Sequence, residues 1–162
     1  MVVAGDGRYF NTEAIQSICR VLAGNGVANI WIPQHGIMTT PAVSVVIRHR
    51  EGRKAHGGIV LTASHNPGGP GEDFGIKYNE ELGEPVGEEF TETIYEKSLN
   101  IKSFKTVTGT DDFFVVDINF IVRKKMKKNH FQENNLFVIL SISKINSFKV
   151  PLQKNNKLCF LK

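Results

Sequence analysis

Residues that could carry out phosphoryl or proton transfer cluster around one loop of the sequence. Ser64, His65 and Asn66 follow the apolar run Gly58–Leu61, and Lys77 lies in the next short apolar run. A serine hydroxyl is a weak nucleophile at neutral pH unless a base activates it. Adjacent side chains seldom face each other well enough for a Ser–His pair, and the sequence has no Gly-x-Ser-x-Gly elbow. The pattern therefore argues against a hydrolase triad.

A phosphorylated serine needs different support, namely hydrogen-bond donors for a dianion and a cation that spreads charge as the phosphoryl group leaves. Backbone N–H groups of the glycine-rich loop can supply donors. Lys77 can supply the positive charge, and His65 can move a proton near neutral pH. The alternative interpretation is that Ser64–Pro67 is an ordinary turn and that Lys77 is an exposed strand residue.

The elements around this loop alternate between strands and helices, which predicts a layered α/β fold. Apolar runs predict four strands, at Met1–Ala4, Ala28–Ile32, Gly57–Thr62 and Phe74–Asn79. Helices are predicted after caps at Asn11 and Thr40, and over about Pro85–Leu99. Helical spacing predicts that the buried residues are Ala14, Ile15, Ile18, Cys19 and Leu22 in the first helix, Val43, Val46 and Ile47 in the second, and Phe90 and Ile94 in the third.

The loop and its flanks resemble a known enzyme family. Thr62–Pro67 followed by Asp73–Lys77 is similar to the phosphoserine loop of the α-D-phosphohexomutases, and Thr62–Gly69 is most similar to the phosphoglucomutase branch. Gly5–Arg8 and Gly36–Ser44 extend the resemblance, which fades after about Thr106. It implies a three-layer α/β/α fold with a mainly four-stranded mixed sheet.

The resemblance also implies a reaction, the interconversion of glucose 1-phosphate and glucose 6-phosphate through a phosphoserine and a bisphosphate intermediate. Ser64 matches the serine that carries the phosphoryl group and binds Mg²⁺ through its phosphate. His65 and Lys77 match positions with acid–base duties. The implied substrate is a hexose phosphate, and the implied cofactors are Mg²⁺ and glucose 1,6-bisphosphate as primer.

The resemblance implies supporting roles for the remaining site residues. The positions that match loop-shaping or substrate-contacting residues are Asn66, Pro67, Gly68, Gly69, Asp6 and Arg8. For Asp6 and Arg8 a second interpretation stays open, a salt bridge that only stabilises a turn. The acidic runs Glu72–Asp73 and Glu80–Glu81 are interpreted as a solvated face.

Composition divides the chain into two parts, and the predicted domain is 1–106, followed by a divergent basic tail at 107–162. Residues 1–122 carry 10 basic and 15 acidic side chains, whereas residues 123–162 carry 10 basic side chains and only Glu133 as an acid. We expect the tail to be irregular or disordered. Its lysines and aromatic residues match no nucleic-acid-binding motif, so a nucleic-acid partner is not expected.

Cysteine usage and hydropathy point to the cytoplasm. Cys19 and Cys159 form no metal or redox spacing. No apolar run approaches the roughly 18 residues of a membrane helix, so no membrane partner is expected. The sequence does not indicate an oligomeric state.

Several family motifs are absent from the sequence. They are the Thr-Ser-Gly-Leu-Arg-type segment, the Asp-Gly-Asp-Gly-Asp metal loop, the Gly-Glu-Glu-Ser-type sugar loop and the Ser-Gly-Thr phosphate loop. We therefore expect a truncated chain that is inactive alone, because phosphoryl transfer depends on positioning and charge neutralisation. The alternative is a non-catalytic interaction or structural module of the same family.

Overall fold

The structure is a computed structural model that describes residues 1–49 and 55–107 in full, together with the backbone of two later strands. The strands are β1 (Val2–Gly5), β2 (Asn29–Pro33), β3 (Gly58–Leu61), β4 (Ile76–Asn79), β5 (Ser103–Val107), β6 (Phe137–Ser141) and β7 (Ser147–Pro151). The helices are α1 (Asn11–Gly24), α2 (Thr40–His49) and α3 (Glu88–Asn100), with a short 3₁₀ turn at Gln34–Gly36.

The main sheet has the strand order β4-β3-β1-β2-β6. Strand β1 pairs parallel with β2 and with β3, whereas β4 runs antiparallel to β3 and β6 runs antiparallel to β2. The four predicted strands and the mixed sheet are therefore confirmed, with β6 as an additional edge strand. Because β1 and β3 are parallel and adjacent, the loops that follow Gly5 and Leu61 lie at the same end of the sheet.

Helices cover both faces of this sheet, which confirms the three-layer arrangement. Alternate residues of β1 enter two separate cores, as the period-two geometry of a strand requires. The core under α1 contains Val3, Ile15, Cys19, Ile30, Ile32 and Leu61. The core under α2 contains Val2, Ala4, Trp31, Val43, Ile47, Ala55 and Val60. The predicted buried faces of the first two helices are thus correct.

Three predictions about helices are wrong. Thr40 is the first residue of α2 rather than its cap. Asn11 does not cap α1: it is the first helical residue, it is buried, and its Nδ2 donates to the carbonyl oxygen of Gly36 at 3.4 Å. Helix α3 begins at Glu88 rather than Pro85, and none of its residues is buried. Phe90 and Ile94 are 45% and 38% exposed, because they line an open cleft between α3 and the edge strand β4, where the Phe90 ring stacks on Tyr78.

Strand β5 was not predicted, and it rests against the end of α1. A Cβ at residue 24 would lie 2.6 Å from the Cα of Thr106, so Gly24 permits this close approach. The Asn25 amide donates to the carbonyl oxygen of Lys105 at 3.1 Å. Strand β5 spans the predicted boundary at residue 106, and that boundary stays a prediction.

Within the predicted tail the structure describes two strands, β6 and β7. Strand β6 pairs with β2 over all five of its residues, from Asn29 opposite Ser141 to Pro33 opposite Phe137. Strand β7 pairs antiparallel with β5. The remaining residues of the tail, including Cys159, lie outside the described residues.

Candidate active site

Ser64 lies in a loop at the carboxyl end of β3, where the strand leaves the core. The backbone N–H of Thr62 donates to the carbonyl oxygen of Gly75 at 2.9 Å and closes the base of the loop. A Cβ at residue 75 would collide with the carbonyl oxygen of Thr62, so the closure requires glycine there. Ser64 itself is exposed, as a residue that meets a substrate must be.

The side chains of Lys77 and Ser64 are in direct contact. The ammonium Nζ of Lys77 donates a hydrogen bond to Ser64 Oγ at 3.0 Å. Lys77 is in β4, the antiparallel neighbour of β3, so two adjacent strands fix the pair. An ammonium at this distance stabilises negative charge on the serine oxygen or on a phosphate attached to it.

Ser64 has a backbone conformation that only a supported residue keeps. Its φ is +57°, in the left-handed region that costs a non-glycine residue about 1–2 kcal/mol. Its N–H donates to Thr62 Oγ1 at 3.0 Å, and Thr62 Oγ1 donates to Asp6 Oδ2 at 2.7 Å. Thr62 is only 6% exposed. The strained conformation of Ser64 is thus stabilised by hydrogen bonds to the buried Thr62 side chain beneath the loop.

Asp6 is in turn held by Arg8. Arg8 Nε donates to Asp6 Oδ1 at 3.0 Å, and Arg8 Nη2 donates to Asp6 Oδ2 at 2.8 Å. The side chains of Arg8 and Asp6 are 6% and 34% exposed, respectively. The hydrogen bonds from Arg8, helped by the one from Thr62, hold the pKa of Asp6 below its ordinary value despite partial burial. This geometry favours the salt-bridge interpretation of the Asp6–Arg8 turn over a substrate contact.

Arg8 also connects the turn to the far side of the loop. Its Nη1 donates to the backbone carbonyl of Asp73. A Cβ at residue 68 would lie 2.8 Å from the Cβ of Arg8, so Gly68 lets the loop pass close to the arginine. Arg8 therefore joins the Asp6–Arg8 turn to a loop more than 60 residues later in the sequence.

Glu72 and Asp73 are exposed, as the interpretation of this run as a solvated face expects, and Asp73 also holds the loop. Its Oδ2 accepts a hydrogen bond from Asn66 Nδ2 at 2.7 Å, and the Asn66 backbone N–H donates to the carbonyl of Ala63 at 3.1 Å. Asn66 and Asp73 thereby tie the two ends of the loop together.

The other predicted loop residues take less defined positions. His65 and Pro67 are exposed, and within the described part of the chain no hydrogen bond joins His65 to Ser64. The carbonyl oxygen of Gly69 accepts from the N–H of Glu72 at 3.2 Å and forms a turn in the loop. The structure therefore joins Ser64 to Lys77 and places Asn66 in the lining of the same cleft, which His65 does not line.

Sequence reasoning missed two residues of the site, Thr62 and Asp73. Both were inside the motif, but the Thr62 hydroxyl was given no role and Asp73 was interpreted only as part of a solvated acidic face. The available signal was position: Thr62 is a polar residue at the end of an otherwise apolar buried strand, and such a hydroxyl needs partners.

A cleft of about 650 Å³ opens beside Ser64, between β4 and α3. Its polar end contains Thr62, Ser64, Asn66, Asp73 and Lys77. Its other end is largely apolar and contains Ile59, Ile76, Tyr78, Val86, Phe90 and Ile94. The rings of Tyr78 and Phe90 stack with centroids 5.9 Å apart across this end. The serine hydroxyl thus faces a space large enough for a small ligand.

The described residues do not form a metal site by themselves. No group of three or more His, Cys, Asp or Glu side chains among them could hold a metal ion. The two carboxylates near Ser64 already have partners, since Asp6 binds Arg8 and Thr62 while Asp73 accepts from Asn66. A metal at Ser64 would need ligands beyond these side chains.

Fold and site together define a class, an α/β/α domain that presents a serine and a lysine at the end of its sheet. Residues 1–105 match the family model for phosphoglucomutase/phosphomannomutase, alpha/beta/alpha domain I. The chain belongs to this family, which confirms the resemblance found in the sequence.

Individual relatives support the same assignment. The chain is 53% identical over 124 residues to a cytoplasmic phosphoglucomutase of Populus tremula, covering 75% of this chain and 21% of that protein. It is 52% identical over 122 residues to a cytoplasmic phosphoglucomutase of Solanum tuberosum, covering 74% and 20%. It also superposes on the Paramecium phosphoglucomutase pp63/parafusin, in its open form, with a TM-score of 0.66 and 44% identity, covering 71% of this chain and 21% of that one.

The chain spans about a fifth of the length of the curated relatives it matches. Among the described helices, none combines the length and the hydropathy of a membrane span.

Proposed function

We propose that this chain is the phosphoserine-bearing part of a phosphoglucomutase. The proposed reaction interconverts glucose 1-phosphate and glucose 6-phosphate through a phosphoserine at Ser64 and a bisphosphate intermediate. The observation that carries the proposal is the contact between Lys77 Nζ and Ser64 Oγ at 3.0 Å, because a serine that only stabilised a turn would not need a cation on its hydroxyl.

The proposed chemistry assigns a task to each side chain. When phosphorylated Ser64 donates its phosphoryl group, the P–Oγ bond breaks and a new P–O bond forms to a hydroxyl of the sugar phosphate. The electron pair of the broken bond stays on Oγ, and the proton lost by the sugar hydroxyl ends on Oγ. Lys77 stabilises the charge that develops on Oγ. His65, exposed beside Ser64, is the proposed carrier of that proton.

The proposal extends to Mg²⁺, glucose 1,6-bisphosphate and a cytoplasmic location. A divalent cation would supply charge neutralisation at the phosphate. The described side chains do not by themselves provide a ligand set for it. The relatives from Populus and Solanum are named cytoplasmic, which supports the proposed location.

Loading of Ser64 tests the proposal directly. The chain is incubated with Mg²⁺ and glucose 1,6-bisphosphate labelled with ³²P, and the phosphorylated residue is identified by mass spectrometry. We expect one phosphoryl group on Ser64, and none in Ser64→Ala. Ser17→Ala, an exposed serine of α1, is the matched control and should load like the unchanged chain. Absence of label on Ser64 in the unchanged chain would contradict the proposal.

Complete turnover is expected to be negligible in this chain alone. Loading needs only one phosphoryl transfer to Ser64, which can be followed over hours even when it is slow, whereas turnover needs repeated fast transfers. The described residues form no metal ligand set that would accelerate those transfers. A coupled assay with glucose 1-phosphate, Mg²⁺ and the bisphosphate primer measures this. Turnover close to that of a full-length phosphoglucomutase would show that the reasoning is wrong.

A non-catalytic interaction module is the second candidate. It is favoured by an exposed aromatic group beside the loop, in which Tyr9 and Phe10 are 60% and 42% exposed and Phe10 contacts Phe74 edge to face. Such exposed rings are typical of binding surfaces. This candidate predicts no phosphate on Ser64, so the loading experiment separates the two.

A further inference from the structure

Thr62 is placed to control the conformation of Ser64, and nothing in the motif assigns it a role. We infer that Thr62 is a positioning residue that holds Ser64 in its left-handed conformation. It does so through two hydrogen bonds, from Thr62 Oγ1 to the fixed Asp6 carboxylate and from the Ser64 N–H to Thr62 Oγ1, which together form the relay. The inference rests on the proposed function, because it concerns the same serine. Thr62 touches no reacting atom and acts only through Ser64.

The direction of each hydrogen bond in the relay follows from the chemistry of its groups. The Asp6 carboxylate, whose pKa is lowered beside Arg8, is ionised at neutral pH and can only accept. The single hydroxyl proton of Thr62 is therefore given to Asp6 Oδ2, over 2.7 Å. This leaves the Thr62 lone pairs for the Ser64 N–H at 3.0 Å. A threonine hydroxyl is used here as donor and acceptor at once, which a valine cannot imitate.

The anchor of the relay is rigid. Asp6 is bound by Nε and Nη2 of Arg8, and its own backbone N–H donates to the carbonyl of Leu61 at 3.0 Å. Thr62 is almost fully buried and is fixed by its backbone bond to Gly75. A relay between two fixed points leaves the Ser64 backbone little freedom to rotate.

The consequence for chemistry is the direction of the Ser64 hydroxyl. With its N–H turned inward to Thr62, Ser64 presents Oγ outward to Lys77 and the cleft. In the more common right-handed or extended conformations the Cβ would point elsewhere relative to Lys77. Displacement of a reacting group by about 1 Å can cost on the order of 100-fold in rate.

The first experiment measures the conformation and does not depend on catalysis. In ¹⁵N- and ¹³C-labelled chain, the HN–Hα coupling and the Cα and Cβ shifts of Ser64 report φ, and hydrogen exchange reports the protection of its amide. We expect Thr62→Val, which keeps the shape but loses the hydroxyl, to change the φ signature and to lower the protection by up to about tenfold. Thr62→Ser keeps the hydroxyl and should stay within about threefold of the unchanged chain.

Thr12→Val, at an exposed threonine in the first turn of α1, is the matched control and should leave Ser64 unaffected. Amide protection in β1 and β3 shows whether each variant is still folded. Should Thr62→Val unfold, Asp6→Asn provides a second test, because an uncharged amide weakens the anchor and should lower Ser64 protection in the same direction. An unchanged φ signature and unchanged protection in folded Thr62→Val would overturn the inference.

The second experiment connects the relay to phosphoryl transfer. Loading of Ser64 from glucose 1,6-bisphosphate should be roughly 10- to 100-fold slower in Thr62→Val and rescued in Thr62→Ser. Equal loading rates in Thr62→Val and the unchanged chain would refute the positioning role and leave the proposed function intact. No loading in the unchanged chain would count against the proposed function, while the conformational measurement would still decide the relay.

Discussion

Replacement of Lys77 by methionine isolates the contact on which the proposed function depends. Methionine has a similar length but lacks the ammonium that donates to Ser64 Oγ at 3.0 Å. A hydrogen bond to a charged group contributes about 1.5–3 kcal/mol. Since each 1.36 kcal/mol is tenfold in rate, loading of Ser64 should slow by roughly 10- to 150-fold in Lys77→Met. Lys77→Arg keeps the charge with a different geometry, and its loading rate should lie between those of the unchanged chain and Lys77→Met.

The assay is single-turnover loading of Ser64 from ³²P-labelled glucose 1,6-bisphosphate, followed over time. Lys97→Met, at an exposed lysine in the last turn of α3, is the matched control and should load at the unchanged rate. The free energy of unfolding of Lys77→Met should change by less than about 0.5 kcal/mol, because Lys77 is exposed. Loading within about twofold of the unchanged chain would refute the role assigned to the Lys77–Ser64 contact.

Three further predictions concern stability and reactivity. Arg8 lowers the pKa of Asp6 in the folded state, so the stabilisation from this pair is present above the unfolded pKa and is lost as the pH falls through the folded pKa. Urea unfolding between about pH 2 and 6 should show a loss of at most about 1 kcal/mol, because the site is partly exposed. Asp6→Asn should abolish this pH-dependent loss. Burial raises the pKa of the Cys19 thiol to about 12, so iodoacetamide at pH 8 should modify Cys19 only after unfolding. Peptide mapping separates Cys19 from Cys159, and rapid modification of Cys19 in the folded chain would contradict its placement in the core. Ile47→Ala should lower the free energy of unfolding by about 2–5 kcal/mol in a urea titration, because Ile47 is fully buried between α2 and the sheet, whereas Val45→Ala on the exposed face of α2 should cost well under half as much.

The parts of the fold that sequence predicts well are those with a strong apolar period. Residues Ile15 and Cys19 recur at helical spacing, and β1 and β3 are short apolar runs between turn residues. Such patterns are local, so they are readable without knowing what each element packs against. Strand β5 was not predictable in this way, because Lys105 and Thr106 interrupt its apolar pattern and its position depends on the contact with Gly24.

Other features depend on partners that are distant along the chain. Phe90 and Ile94 are exposed because they line an open cleft between α3 and β4, which their helical spacing does not reveal. The pairing of β6 with β2 joins residues more than 100 positions apart, from Asn29 to Ser141. The family resemblance identified the loop, but it did not identify the hydrogen bonds of Thr62 and Asp73. Tertiary contacts between distant residues determine these features, and local sequence patterns do not reveal such contacts.

The charges around Ser64 explain why the proposed function includes a divalent cation. Asp6 and Arg8 neutralise each other, and Asp73 is bound to the uncharged amide of Asn66. Within the described residues, Lys77 is the cation that contacts the serine oxygen. A phosphate on Ser64 would bring close to two negative charges at neutral pH, so one ammonium beside a carboxylate leaves them only partly neutralised. The additional positive charge that phosphoryl transfer requires is the contribution that Mg²⁺ would make.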